Sequence, residues 1–145
     1  MSAFATLSSS ERMDWPTPRD YFGDLNAEFG FTLDACASPE NACLPRYFTE
    51  RDEGLMRSWA GERVYMNPPY GRQLPRWIQK AWNESGHAEL IVALIPARTD
   101  TTYWHDYIFG HAEIRFLKGR LRFEGALNVA PFPVAVVIWG AACRG

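Results

Sequence analysis

Arg63-Val64-Tyr65-Met66-Asn67-Pro68-Pro69-Tyr70-Gly71, followed by Leu74 to Ser85 and then by Leu90-Ile91-Val92-Ala93-Leu94-Ile95, reads as strand, turn, helix and strand. The apolar run Val64-Tyr65-Met66 stops on two prolines. Proline fixes φ and offers no N–H to a sheet, so the backbone must leave the strand there on a stiff loop. Beyond it, Leu74, Trp77, Ile78, Ala81 and Trp82 fall on one stripe while Arg76, Gln79, Lys80 and Asn83 fall opposite, which is the period of an amphipathic helix. Leu90 to Ile95 is apolar throughout, as a strand covered on both faces of a parallel sheet should be. This order predicts a parallel α/β unit.

Working outward toward the N-terminus, Thr17, Pro18 and Asp20 supply a cap, a first helical residue and an acid for the electropositive first turn. Tyr21, Phe22, Leu25 and Phe29 recur at helical spacing before Gly30, so a helix is expected from Pro18 to about Phe29. Phe31 to Ala37 reads as the first central strand, closed by Asp34 and small residues. From Ser38 to Glu62 the periodicity is broken by Pro39, Asn41, Pro45, Gly54 and Gly61, with at most a short extended piece at Tyr47-Phe48-Thr49. Loops of this length in a compact domain are commonly functional, and Tyr47, Phe48, Leu55 and Trp59 give this one anchors. Residues 1–13, with Ser8-Ser9-Ser10, read as a flexible leader, and 14–145 as a single domain.

Toward the C-terminus, Arg98 to Thr102 opens a helix carrying Tyr103, Trp104, Tyr107 and Ile108 and ending at Gly110. Ile114 to Leu117 reads as a fourth strand. Lys118, Arg120 and Arg122 then alternate with Gly119, Leu121 and Phe123, a strand spacing that puts three cations on one face. Pro133 to Trp139 is a last apolar strand, near enough in sequence to pair antiparallel with its predecessor. The expected fold is therefore α/β, with a mostly parallel sheet and an antiparallel last strand.

Composition bounds the function. The chain has 145 residues, 47% apolar and 22% charged, which suits one globular domain with a real core. It contains no uncharged apolar run of about 18 residues and no basic-then-apolar leader, so the expectation is a cytoplasmic protein without a membrane partner. A net charge of -2 argues against coating nucleic acid by bulk electrostatics. Cys36, Cys43 and Cys143 are odd in number and lack metal or CxxC spacing, so they read as free thiols, and no metal site is expected.

In open α/β sheets ligands bind beyond the carboxyl ends of the strands, where Asp34, Asn67 and Arg98 fall. The Asn67 side-chain oxygen and the Pro68 carbonyl can accept the two hydrogens of a planar amine while Tyr70 stacks on its ring. The nitrogen lone pair, otherwise delocalised, is then localised for attack on an electrophilic carbon, with no strong base required. His87, His105 and His111 lie at helix ends or in loops and are assigned no catalytic role. Three amines satisfy this grip: adenine N6, cytosine N4 and a protein glutamine amide. A base in a duplex would have to be flipped out to reach it. The bland readings are a Pro-rich turn for Asn67 to Tyr70, a turn-forming acid for Asp34, a solvated strand face for Lys118, Arg120 and Arg122, and core packing for Trp77 and Trp82.

Thr17-Pro18, Leu33-Asp34-Ala35-Cys36-Ala37, Glu53-Gly54-Leu55 with Trp59, Asn67-Pro68-Pro69-Tyr70-Gly71, Pro96-Ala97-Arg98-Thr99-Asp100-Thr101 and Gly119-Arg120-Leu121-Arg122-Phe123 follow one another in order over about 125 residues. In these the chain resembles the phage-type Dam family of S-adenosylmethionine-dependent DNA N6-adenine methyltransferases. The resemblance implies a reduced Rossmann-like methyltransferase sheet with helices on both faces, S-adenosyl-L-methionine as cofactor and adenine in DNA as substrate. It further implies a catalytic loop of Asn67, Pro68, Pro69 and Tyr70, and cofactor contacts from Thr17, Pro18, Asp34, Ala35, Cys36 and Asn67. Asp52 or Glu53 is the expectation for the adenosine half. With no long insertion to read DNA, recognition falls to Arg98, Thr99 and Asp100 and to Lys118, Arg120 and Arg122.

Overall fold

The computed structural model describes residues 15–140. The expected leader and Cys143 lie outside them. Strands β1 (Leu33–Asp34), β2 (Arg63–Met66), β3 (Leu90–Pro96), β4 (Glu113–Phe116) and β5 (Val134–Gly140) form one sheet in the order β1-β2-β3-β5-β4. β1, β2 and β3 pair in parallel. β5 is inserted between β3 and β4 and is antiparallel to both. Four strands thus share one direction and the last opposes them, so the carboxyl ends of β1, β2 and β3 lie along one edge.

All seven residues of β3 and all seven of β5 are buried. They pair over their full length, from Leu90 opposite Gly140 to Pro96 opposite Val134. Uniform apolarity in both strands is what lets them occupy the middle, since each fully buried Val, Leu or Ile contributes about 1.5–3 kcal/mol relative to exposure. The edge strand β4 is mostly exposed. Arg115 on it makes a two-pronged contact to Glu28 at 2.8 and 2.7 Å and another to Glu113 at 2.7 Å, charges that blunt an open sheet edge.

Helix α1 runs Arg19–Phe29 and α2 Leu74–Glu84. Gly30 ends α1 at φ 63°, ψ 58°, donating its N–H to the Asn26 carbonyl, the left-handed stop that its lack of a Cβ permits. The expected capping differs at the other end: Pro18, not Thr17, is the cap, and the helix opens at Arg19, whose N–H is taken at 2.9 Å by the Glu124 carboxylate. Thr17 keeps its hydroxyl for a buried partner in β2.

Three further expectations are modified. The first strand is ordered as sheet only over Leu33–Asp34, because its outer neighbour is a short segment bridging at Tyr47 rather than a full strand. That segment is the extended piece read at Tyr47 to Thr49. It exchanges Asp34 N to Arg46 O at 3.1 Å and Phe48 N to Asp34 O at 2.9 Å. The helix expected after Arg98 starts at Thr102 and widens into a π-helical turn, Trp104–Ile108, that buries Trp104 and Ile108. Lys118 to Phe123 is not a strand: β4 ends at Phe116, and Gly119, at φ 76°, turns the chain away.

The irregular segment between β1 and β2 is well anchored. Trp59 is fully buried, stacks on Trp77 at 6.4 Å and donates its indole N–H to the Gly54 carbonyl at 3.2 Å. Gly54 lies so close to the sheet that a Cβ there would meet the Ala35 carbonyl at 2.6 Å. Trp77 is core, as expected, and Trp82 is partly buried against it.

Candidate active site

Asn67 is the first residue beyond β2, where the prolines free the chain from the sheet. Its amide nitrogen donates to the Trp15 carbonyl at 2.6 Å and to the Thr17 hydroxyl at 3.1 Å. A carbonyl only accepts, so the nitrogen must face Trp15 and the oxygen must face the other way. The Thr17 hydroxyl is itself bonded to the Tyr65 phenol at 2.5 Å, a contact buried between the helix entry and β2. Tyr65, Thr17 and Trp15 therefore set the direction in which Asn67 presents its acceptor. Among the described residues, nothing donates to the Pro68 carbonyl.

Tyr70 is placed differently from an exposed stacking platform. Its ring is 5% exposed, edge-on to Phe123 at 6.2 Å and to Phe132 at 5.7 Å. Its hydroxyl lies 2.9 Å from the Asn67 side-chain oxygen and 2.8 Å from the Leu94 carbonyl, and shares its one proton between these two acceptors. Burial pushes the phenol well above its usual range, so it stays a neutral donor. In this conformation Tyr70 occupies the acceptor that a substrate amine would need. Trp15, Phe123 and Phe132 surround that position with mutual edge contacts of 5.3 and 5.2 Å from Trp15.

Beside Asn67 a small chamber of about 20 Å³ is lined by Asp34, Cys36, Tyr65 and Asn67 together with Pro16, Thr17, Asn41 and Cys43. It adjoins a larger cleft of about 460 Å³ that shares Pro16, Thr17, Asn41 and Cys43 and adds Arg19, Phe22, Ser38, Glu40, Ala42 and Glu124. That volume falls in the range of about 300–1,000 Å³ typical of small-molecule sites. Asp34 is 2% exposed. Its carboxylate accepts from the Cys43 N–H at 3.0 Å and, at 3.4 Å, from the Cys36 N–H. Desolvation raises its pKa to about 6, only partly offset by those two backbone donors. The same burial pushes the Cys43 thiol up to about 12, so it is a neutral wall and not a nucleophile.

Of the residues expected at a cofactor site, Thr17, Asp34, Cys36 and Asn67 line these chambers, while Ala35 is core and Pro18 is the helix cap. Asp52 and Glu53 line neither. Asp52 is bound to the Thr49 N–H and hydroxyl at 2.8 and 3.0 Å, and Glu53 is exposed at φ 53° before Gly54. The reading missed Asn41, Cys43, Glu40 and Glu124, which sit in segments without periodicity. Tyr65 carried a signal: a tyrosine inside an apolar strand needs a partner for its hydroxyl.

Arg98, Thr99 and Asp100 follow β3 at the same sheet edge and are exposed. Arg98 lies over the Phe132 ring at 5.6 Å, so it reaches the aromatic group around Tyr70. Lys118, Arg120 and Arg122 are exposed on the connection from β4 to β5. Arg120 donates to the Ala130 carbonyl at 3.4 Å, and Arg122 to those of Ala126 and Leu127 at 3.1 and 2.8 Å. Their heads shape the connecting loop. Among the described residues there is no cluster of His, Cys, Asp or Glu able to hold a metal, and no helix is long and apolar enough to cross a membrane.

A family model described as DNA N-6-adenine-methyltransferase (Dam) matches residues 5–133. A DNA N-6-adenine-methyltransferase of Escherichia phage T1 is 31% identical over 109 residues, covering 74% of this chain and 45% of the relative. A DNA N-6-adenine-methyltransferase of Haemophilus phage HP1 (strain HP1c1) is 28% identical over 113 residues, covering 74% of this chain and 65% of the relative. The chain thus spans about half to two thirds of the curated relatives it matches.

Proposed function

Because the chain belongs to the Dam family of DNA N-6-adenine-methyltransferases, we propose that it transfers a methyl group from S-adenosyl-L-methionine to N6 of adenine in DNA. On this reading the sheet is a reduced Rossmann-like one with helices on both faces, and the protein acts in the cytoplasm, the host's if phage or prophage encoded. The observation that carries the proposal is the fixed presentation of Asn67: Trp15 and Thr17 hold both amide hydrogens, so the oxygen is turned away from them, toward Tyr70.

The chambers fit the donor chemically. Asp34 is a buried carboxylate with two backbone donors and no ion pair among the described residues, which suits a ligand bringing positive charge or hydroxyl donors. Asn41, Cys36 and Cys43 wall the inner end, and Arg19, Ser38 and Glu40 supply polar groups to the cleft. When bound, S-adenosylmethionine supplies an electrophilic methyl carbon. Asn67 and the Pro68 carbonyl accept the two amine hydrogens and localise the nitrogen lone pair, and the ring of Tyr70, once it leaves Asn67 and Leu94, stacks on the base. Neither acceptor is a strong base, so the proton released from nitrogen passes to solvent. Arg98, Thr99, Asp100, Lys118, Arg120 and Arg122 remain the proposed DNA contacts.

The test is to incubate the protein with labelled S-adenosylmethionine and unmethylated DNA, digest to nucleosides, and sequence the product for the methylated position. Label in N6-methyladenine is the expected result. Label in N4-methylcytosine or in protein would sink the adenine assignment.

The pH dependence of cofactor binding follows from Asp34. Its carboxyl pKa is raised from 3.8 to about 6, so in the free protein the protonated form is favoured and stability declines as pH rises through that interval. A cationic or hydroxyl-donating ligand needs the ionised form, so its affinity moves the other way. Calorimetric titration with S-adenosylmethionine should show affinity falling about tenfold per pH unit below about pH 6. Asp34→Asn should bind more weakly at pH values well above that and show a flat profile. Parallel profiles in the two proteins would remove Asp34 from the site.

A further inference from the structure

We propose that Leu127, at the tip of the loop joining β4 to β5, is a wedge that enters a DNA duplex and fills the gap left when the target base is drawn out to Asn67. The inference rests on the methyltransferase reading above and goes beyond it. Leu127 is 87% exposed and Val129 53% exposed, in the middle of the connection between the two strands.

The loop that carries them is not loose. Ala130 donates to the Leu121 carbonyl at 2.7 Å, closing its neck. Inside the neck Ala126 donates to the Phe123 carbonyl at 3.1 Å and Glu124 to the Pro16 carbonyl at 2.9 Å. The Arg122 guanidinium ties down the carbonyls of Ala126 and of Leu127 itself. A loop braced in this way holds its tip in one place. At 87% and 53% exposure Leu127 and Val129 add little to the core, and their burial would be gained only on contact with a partner.

Its position identifies the partner. Phe123 and Phe132, on either side of the tip, are the aromatic rings that meet Tyr70 edge-on, so the tip is four and five residues along the chain from rings packed on the tyrosine of the Asn67 loop. Lys118, Arg120 and Arg122 are exposed along the same connection, and Arg98 sits over Phe132. Cations around an apolar point match phosphates around a base stack. Leucine is among the side chains used as wedges between base steps, and a base withdrawn from a duplex leaves an apolar gap between its former neighbours.

Once the methylated position has been mapped, two short duplexes decide the matter: one with the target adenine opposite thymine, the other with it opposite an abasic sugar. Leu127→Ala should slow single-turnover methylation of the paired adenine by about tenfold and that of the unpaired adenine by no more than about twofold, because unpairing is already complete in the second duplex. Leu127→Phe, which still fills a gap, should restore the rate on the paired substrate. Thermal melting should be unchanged in both variants, since the side chain is in solvent. Equal slowing on both duplexes, or no slowing on either, would overturn the wedge. Failure of the wild type to form N6-methyladenine on either duplex would instead overturn the methyltransferase reading, and the wedge with it.

Discussion

Asn67→Ala is expected to lower the rate of methyl transfer to DNA by about a hundred- to a thousandfold, the loss that follows removal of one preorganised polar group at a reacting centre. The argument is geometric. Trp15 and Thr17 take both hydrogens of the amide, at 2.6 and 3.1 Å, so the oxygen has one direction available, and an arriving amine has only to displace the Tyr70 hydroxyl from it. Alanine removes that acceptor and leaves the Pro68 carbonyl to hold the amine alone, by one hydrogen, with the lone pair still free to delocalise. It also leaves the Thr17 hydroxyl short of one partner, a stability cost of about 1–3 kcal/mol that a denaturant melt will show. Single-turnover transfer of labelled methyl, measured with saturating cofactor and DNA, isolates the chemical step. A rate within tenfold of wild type would mean that the amide is structural and that the grip lies elsewhere.

The parts of the fold legible in the sequence are those in which burial wrote a period. β3 and β5 are apolar at every residue and are buried at every residue. α2 shows its stripe, with Leu74, Trp77, Ile78 and Ala81 all buried. Asn67 stands out in the sequence for the opposite reason: two prolines interrupt a pattern, and such an interruption at a strand end is chemistry or a turn. What escaped has no period. The cleft walls at Glu40, Asn41 and Cys43 come from an irregular segment held by single contacts such as Trp59 to Gly54. Ser38 and Asn41 close a local turn on each other, but where that turn lies depends on β1, through the Cys43 N–H on Asp34. Glu124 reaches the same cleft from far along the chain by capping α1 through Arg19.

Local rules also misled where a tertiary bond outcompeted them. Thr17 has the chemistry of a helix cap, but the buried Tyr65 phenol and the Asn67 amide are stronger claimants on its hydroxyl, and the cap passes to Pro18. Lys118, Arg120 and Arg122 alternate as strand residues do, yet Gly119 turns the chain, and two of the three cations bond loop carbonyls. The alternation recorded a loop that needs donors on its inner side. Thr17 thus lines the chamber beside Asn67, while Arg120 and Arg122 shape a connecting loop, roles that the local pattern does not specify.

Tyr70→Phe and Tyr70→Leu are expected to part company, and their difference tests what the ring does. In the structure the phenol donates to the Asn67 oxygen and the Leu94 carbonyl, so the closed site carries a bond that catalysis must break. Phenylalanine keeps the π face and removes the lock. It should lose about 1–3 kcal/mol of stability, because a buried carbonyl is left without its donor. Its methylation rate should be no lower than that of wild type, because the Asn67 oxygen no longer has an internal competitor. Leucine keeps apolar bulk among Phe123 and Phe132 and removes the face on which a base stacks. Stacking on an aromatic ring contributes about 1–3 kcal/mol per base, so kcat/KM on DNA should fall by roughly five- to a hundredfold while S-adenosylmethionine affinity is held. If phenylalanine proves as slow as leucine, the hydroxyl itself takes part in the reaction and the resting bond to Asn67 is a catalytic contact. If both match wild type, the base is held by Trp15, Phe123 and Phe132 without Tyr70, and the tyrosine serves only to cap the Asn67 oxygen in the resting protein.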